Sequence, residues 1–149
     1  MSERYQGGFV SLSFNPLGSQ TSTYLYNLLT WGSNAYGNLG LNNTTYYSSP
    51  KQIGTETWTS VAANVQASFA IKGDGTLWAW GYNSNGSLGQ NNTINRSSPV
   101  QIGALTTWAT VNAGKEHVLA IKTDGTLWSW GLNNVCLLYT SPSPRDATL

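Results

Sequence analysis

Apolar positions fall in short alternating runs along this chain. Leu77-Trp78-Ala79-Trp80-Gly81 and Leu127-Trp128-Ser129-Trp130-Gly131 are two of them, preceded by Phe69-Ala70-Ile71 and Leu119-Ala120-Ile121. Each run is bounded by Gly, Asn, Asp or Ser, the residues that terminate strands and build turns. Val10-Ser11-Leu12-Ser13-Phe14 alternates in the same way and reads as a strand. No window carries apolar residues at a 3.6-residue period, and Gly and Asn interrupt every stretch long enough to be a helix, which excludes helical repeats. The pattern predicts an all-β chain.

The runs also repeat. Thr76-Leu77-Trp78-Ala79-Trp80-Gly81 returns as Thr126-Leu127-Trp128-Ser129-Trp130-Gly131, with a weaker copy at Asn27-Leu28-Leu29-Thr30-Trp31-Gly32, so that Trp31, Trp80 and Trp130 stand 49 and 50 residues apart. Between them, Leu39-Gly40 parallels Leu88-Gly89 and Ser48-Ser49-Pro50 parallels Ser97-Ser98-Pro99. Trp58 and Val61 parallel Trp108 and Val111, and Asp74-Gly75 parallels Asp124-Gly125. A period near 50 made of strands and Gly-rich turns points to propeller blades.

Asp74-Gly75 and Asp124-Gly125 read as tight two-residue hairpin tips with positive φ at both positions. That register pairs Lys122 with Leu127, Ile121 with Trp128, Ala120 with Ser129 and Leu119 with Trp130. It predicts a blade with Leu119, Ile121, Trp128 and Trp130 on one bulky face, and Ala120 and Ser129 on a small one. Such a sheet needs a neighbour, large face against small. Two blades leave two faces uncovered, so a longer array is expected.

Leu77-Trp78-x-Trp80-Gly81-x-Asn83 followed by Gly86-x-Leu88-Gly89, with Val111 to Gly114, His117 and the hairpin from Ala120 to Gly125, resembles the repeat of the regulator of chromosome condensation. Other propeller repeats fit worse: no Gly-His/Trp-Asp pair is present and no double Gly falls inside a repeat. The resemblance covers about residues 27–134, in copies starting near 27, 76 and 126. It implies a fragment of a seven-bladed β-propeller, about two blades and part of a third, whose loops face protein partners. Family members include exchange factors for a small GTPase, ubiquitin-ligase accessory domains and an inhibitor of β-lactamase. The resemblance gives Trp31, Gly32, Asp74, Gly75, Trp78, Trp80, Gly81, Asp124, Gly125, Trp128, Trp130 and Gly131 structural repeat roles, and has His117 hold adjacent backbone. Departures mark a divergent microbial or viral array: Leu29 replaces the first Trp, and Asn64 and Ala67 replace the Gly-x-x-His that survives at Gly114 and His117. No exchange residues can be matched.

Residues 1–26 match no repeat, and Val10–Phe14 is expected either to pair with the first blade or to connect to a larger particle. From Cys136 the repeat breaks abruptly. Residues 135–149, with Tyr139-Thr140-Ser141-Pro142-Ser143-Pro144, resemble the translation of a sequencing-library adaptor, so the natural sequence is expected to be interrupted inside its third copy.

Composition narrows the chemistry. Charged residues are 9% of the chain and the formal net charge is +1, with no basic stripe to meet a row of phosphates, which argues against nucleic acid. No apolar run approaches the roughly 18–20 residues needed to span a bilayer, so no membrane role is expected. The start lacks the regions of a signal peptide, which favours a cytoplasmic or virion location. One His and one Cys cannot supply a metal site or a catalytic constellation; the expectation is a non-enzyme without cofactors. Trp58 and Trp108 read as core, with exposed rings for stacking carbohydrate as the other possibility. Recognition is expected on the variable loops, at Tyr46, Tyr47, Asn91, Asn92, Asn95 and Arg96, where a scaffold commonly carries it. A protein-binding scaffold is the first functional reading, a phage virion or adhesin component the second, and a nucleotide exchange factor the third.

Overall fold

The computed structural model describes residues 9–14, as backbone, and residues 25–133. The expectations for residues 1–8, 15–24 and 134–149 lie outside the described residues. Every regular element described is a strand, and the strands form three successive antiparallel units. The first holds β1 (Phe9–Phe14), β2 (Tyr26–Gly32) and β3 (Tyr47–Gln52). The second is a complete meander of β4 (Trp58–Ala63), β5 (Ala67–Lys72), β6 (Leu77–Gly81) and β7 (Arg96–Gln101). The third contains β8 (Trp108–Ala113), β9 (His117–Lys122) and β10 (Leu127–Gly131). One pair, Tyr26 with Trp58, joins the first two units into a single sheet. This is about two blades of a β-propeller and part of a third. The non-repeat N-terminal segment does pair with the first blade: β1 lies against β2 with Val10 opposite Thr30.

The hairpin register differs from the expectation by one residue. Leu127 pairs with Ile121, Trp128 with Ala120, Ser129 with Leu119 and Trp130 with Val118. Its turn spans three residues, Thr123-Asp124-Gly125. The Gly125 amide donates to the Lys122 carbonyl at 2.9 Å, and the Lys122 amide to the Thr126 carbonyl at 3.0 Å. Gly125 alone takes the left-handed conformation, at φ 84°; the non-glycine residues with positive φ among those described are Asn42 and Asn91. Asp124 stays on the ordinary side of φ because its carboxylate accepts the Thr126 amide at 2.9 Å and hydroxyl at 2.7 Å, closing the turn from within. A type I turn followed by a left-handed Gly satisfies the same Asp-Gly signal as a two-residue tip.

A slip of one residue moves side chains to the opposite face relative to their partners. The bulky-face and small-face blade is therefore corrected: Phe69 lies opposite Ala79, Trp78 opposite Ala70 and Trp80 opposite Ser68. Each face mixes large and small, and complementarity runs between blades. The aliphatic face of the second blade, with Phe69, Ile71, Leu77 and Ala79, packs against Trp108, Val111, Val118 and Ala120 of the third. Its tryptophan face, with Trp58, Val61, Ala70 and Trp80, packs against Leu28 and Ile53 of the first. Trp58 and Trp108 are both buried core residues.

Truncating Phe69, which is 0% exposed between two blades, leaves a large cavity. Phe69→Ala is expected to cost about 3–5 kcal/mol in urea denaturation. Leu119 holds the equivalent place in the third blade but is 38% exposed, and Leu119→Ala is expected to cost less than about 1 kcal/mol.

Candidate functional site

The meander places two kinds of connection at opposite ends of the blades. At one rim lie the long loops 33–46 and 82–95 and the short turns 64–66 and 114–116; at the other lie the hairpin turns and loops 53–57 and 102–107. The long-loop rim is where the repeats differ most in sequence.

Each long loop is held by a buried asparagine just past its strand. The side-chain oxygen of Asn83 accepts the Leu88 amide at 2.9 Å, and its side-chain nitrogen donates to the carbonyls of Asn92 at 2.9 Å and Ile94 at 3.1 Å. Asn34 does the same in the first loop, accepting from the Leu39 amide and donating to the Asn43 carbonyl, both at 2.9 Å. A short amide with one acceptor and two donors can tie both ends of a loop that has no strand partner. The loops are also tied across blades. The Trp80 indole donates to the Asn38 carbonyl at 2.9 Å, and the Trp130 indole to the Ser87 carbonyl at 2.8 Å. The rings of Tyr36 and Tyr82 meet edge to face at 4.7 Å between centroids.

The six loop residues expected to meet a partner separate into different roles. Tyr46 is 66% exposed, and Asn91 is exposed at a φ of 55°. Tyr47 is half-buried: its hydroxyl accepts from Asn43 at 3.2 Å and its ring lies under Lys51. Asn92 and Asn95 hold the loop, the first accepting the Ile94 amide at 3.0 Å and the second the Asn83 amide at 2.8 Å. Arg96 is half-buried, with its Nε enclosed and without a hydrogen-bond partner among the described residues. Sequence reasoning passed over Val65 and Ile94, which are 60% and 58% exposed on the same rim, and over the Tyr36–Tyr82 contact. Two tyrosines lying 46 positions apart carry no signal of proximity. The anchoring asparagines did carry one, since Trp-Gly-x-Asn occurs in both copies.

The opposite rim repeats a charged device. Lys72 Nζ lies 3.8 Å from the centroid of the Trp78 ring and 5.5 Å from that of Trp58; Lys122 lies 3.8 Å from Trp128 and 5.3 Å from Trp108. The Trp78 indole donates to the Thr76 hydroxyl at 2.8 Å, and that hydroxyl donates to Asp74 at 2.6 Å, which fixes the ring under the ammonium. The hydroxyl and amide of Thr76 hold the Asp74 carboxyl below its ordinary value, and Thr126 does the same for Asp124. Asp74 and Asp124 therefore serve their own turns on successive blades.

At the turn between β8 and β9, the half-buried His117 ring packs over Gly114, where any Cβ would collide with it, and the His117 carbonyl accepts the Gly114 amide at 2.9 Å. The second blade closes the same turn differently: the Asn64 side-chain oxygen accepts the Gln66 and Ala67 amides at 3.0 and 2.7 Å. Among the described residues no group of three or more His, Cys, Asp and Glu could hold a metal ion.

Two expected outcomes check this account. Asn83→Ala leaves buried amide and carbonyl groups unpaired and should cost about 2 kcal/mol, with faster amide exchange through 88–95. The second concerns acid. Because folding lowers the Asp74 carboxyl, its stabilisation is complete above the ordinary carboxylate value and is lost as pH falls through the folded value. Thr76→Val removes the leading hydrogen bond, so the folded value returns toward the ordinary one and the acid loss of stability should become smaller. Asp74→Asn should remove that part of the acid sensitivity. Thermal melts across the acid range read both.

Comparison with known proteins agrees with this geometry. The family model for the regulator of chromosome condensation (RCC1) repeat matches residues 27–71 and 74–121, more than half of the chain. A second model of the same repeat matches 58–87 and 108–135. Among curated proteins none matches. Yeast RCC1 (Prp20), solved bound to Kap60, is similar over 85% of this chain and 30% of its own, at 20% identity and a TM-score of 0.68. Prp20p from Saccharomyces cerevisiae, in a structure described with its binding properties to Gsp1p and histones, covers 88% of this chain and 32% of its own, also at 20% identity and 0.68. Human WBSCR16 gives 21% identity, a TM-score of 0.63 and 85% and 31% coverage. At such identities these likenesses establish the fold, and the chain spans less than a third of each protein. With the repeat matched twice and its blade observed in three successive units, the chain belongs to the RCC1 repeat family.

Proposed function

We propose that the chain is part of a non-catalytic propeller scaffold that binds a protein partner through its long-loop rim. The observation that carries this reading is the contrast between the two rims. The hairpin rim repeats one device, Trp-Lys-Trp closed by Asp and Thr, almost without change. The long-loop rim keeps its anchors, Asn34 and Asn83, but varies what they hold out: Tyr36 and Tyr46 at the first blade, Ile94 at the second, with Val65 exposed on the short turn beside it. A rigid frame carrying variable, partly apolar tips suits recognition of another protein. The similar yeast protein, described with Kap60, Gsp1p and histones as partners, supports the class of partner and leaves its identity open.

With a protein partner in hand, Tyr46→Ala or Tyr36→Ala should weaken binding by roughly tenfold or more while the melting temperature stays nearly unchanged. Leu105→Ala, on the opposite rim, should leave binding intact. Isothermal titration with the three variants reads the difference. Equal loss from both rims, or none from either tyrosine, would move recognition away from these loops.

A further inference from the structure

Resting on the reading of the long-loop rim as the binding face, we propose that Arg96 sets its selectivity by taking the carboxylate of an Asp or Glu side chain on the protein partner. Charge is distributed on this rim in an unusual way. The long loops with the residues that close them, 33–47 and 82–96, and the short turn 64–66 hold one charged residue, Arg96. At the third blade, Lys115 and Glu116 adjoin each other in the turn 114–116 and cancel. The rim over the first two blades therefore carries a single positive charge. Around it lies a neutral field of Asn, Ser, Thr and Gly, with Tyr46 and Ile94 exposed in the same loops. An arginine set among neutral and apolar side chains has the composition of an interface centre.

The repeat shows that this charge is no part of the frame. Tyr47 holds the same place in the first blade, ahead of Ser-Ser-Pro, and pairs with Gly32 as Arg96 pairs with Gly81. Tyr47 is engaged by its own blade, through its hydroxyl to Asn43 and its ring beneath Lys51. Arg96 forms no ion pair among the described residues, whose salt bridge joins Lys72 to Glu56 on the opposite rim. The backbone that carries Arg96 is fixed from both sides. The Asn95 side chain accepts the Asn83 amide at 2.8 Å, and the Ser97 carbonyl accepts the Asn42 amide at 2.8 Å. The stem is held as well, since the side chain is half-buried and its Nε enclosed. What is left to meet a partner is the outer end of a guanidinium already in place, so little freedom is lost when it binds. A planar fork suits a carboxylate, which accepts two parallel N–H bonds. A single cation does not suit a row of phosphates, each of which asks for its own.

The test selects binders to the whole chain from a displayed library of random peptides, keeping those that Tyr46→Ala or Tyr36→Ala weakens. These rim binders should share an Asp or Glu at one position. Changing that residue to its amide should weaken binding by about tenfold or more. Arg96→Tyr substitutes the side chain that the first blade already accommodates, so the melting temperature should stay nearly unchanged. On that variant the acidic and amide forms of each peptide should bind equally, an outcome that a merely structural role of Arg96 would not give. Rim binders without an acidic position, or an acid-to-amide penalty that survives Arg96→Tyr, would overturn the carboxylate assignment and leave the rim reading standing. Binders weakened only by Leu105→Ala, or no binders at all, would overturn both.

Discussion

A blade of this chain cannot cover itself. Its two faces carry large apolar side chains, Phe69 and Ile71 on one and Trp58 and Trp80 on the other, and a single sheet gives each face nothing but water. Burial at roughly 25 cal/mol per Å² of apolar surface is available only when the next unit arrives with its tryptophan face. That constraint fixes the stacking order, because an aliphatic face meets a tryptophan face at both contacts between blades among the described residues. It also accounts for the difference between Phe69, enclosed, and Leu119, its counterpart on a face that no described residue covers.

The indole hydrogen bonds give the stacking its alignment. Apolar contact is non-directional and would tolerate sliding of one blade over another. Trp80 and Trp130 each place a donor on a single carbonyl of the preceding loop, Asn38 and Ser87, and so couple blade position to loop position. Loop conformation and blade packing then become one problem. The same residue type that fills the core also holds the surface that a partner would meet, which is why the loops can vary at their tips without losing their frame.

Much of this was legible in the residues. The 49- and 50-residue spacing of Trp31, Trp80 and Trp130 gives the blade architecture, and the repeated Trp-Gly-x-Asn marks the loop anchors. The hairpin register was not legible. Asp-Gly suits both a two-residue tip and a three-residue turn ending in a left-handed Gly, and only the Asp124 to Thr126 hydrogen bonds decide between them. The loop residues were half legible for a related reason. Asn92 and Asn95 look like Asn91 in sequence, but an asparagine that closes a turn and one that faces solvent are chemically the same residue. Only the position of Asn83 beneath them separates the roles.

Stacking has a direct consequence for how the chain opens. Strands covered on both faces should exchange their amides only through global unfolding, and strands covered on one face should open locally. The decisive measurement is native-state hydrogen exchange followed residue by residue. The account predicts the slowest exchange in β5 and β6, and measurably faster exchange in β9 and β10. Equal protection of both pairs, or slower exchange in β9 and β10, would contradict the claim that each blade depends on the next for its stability.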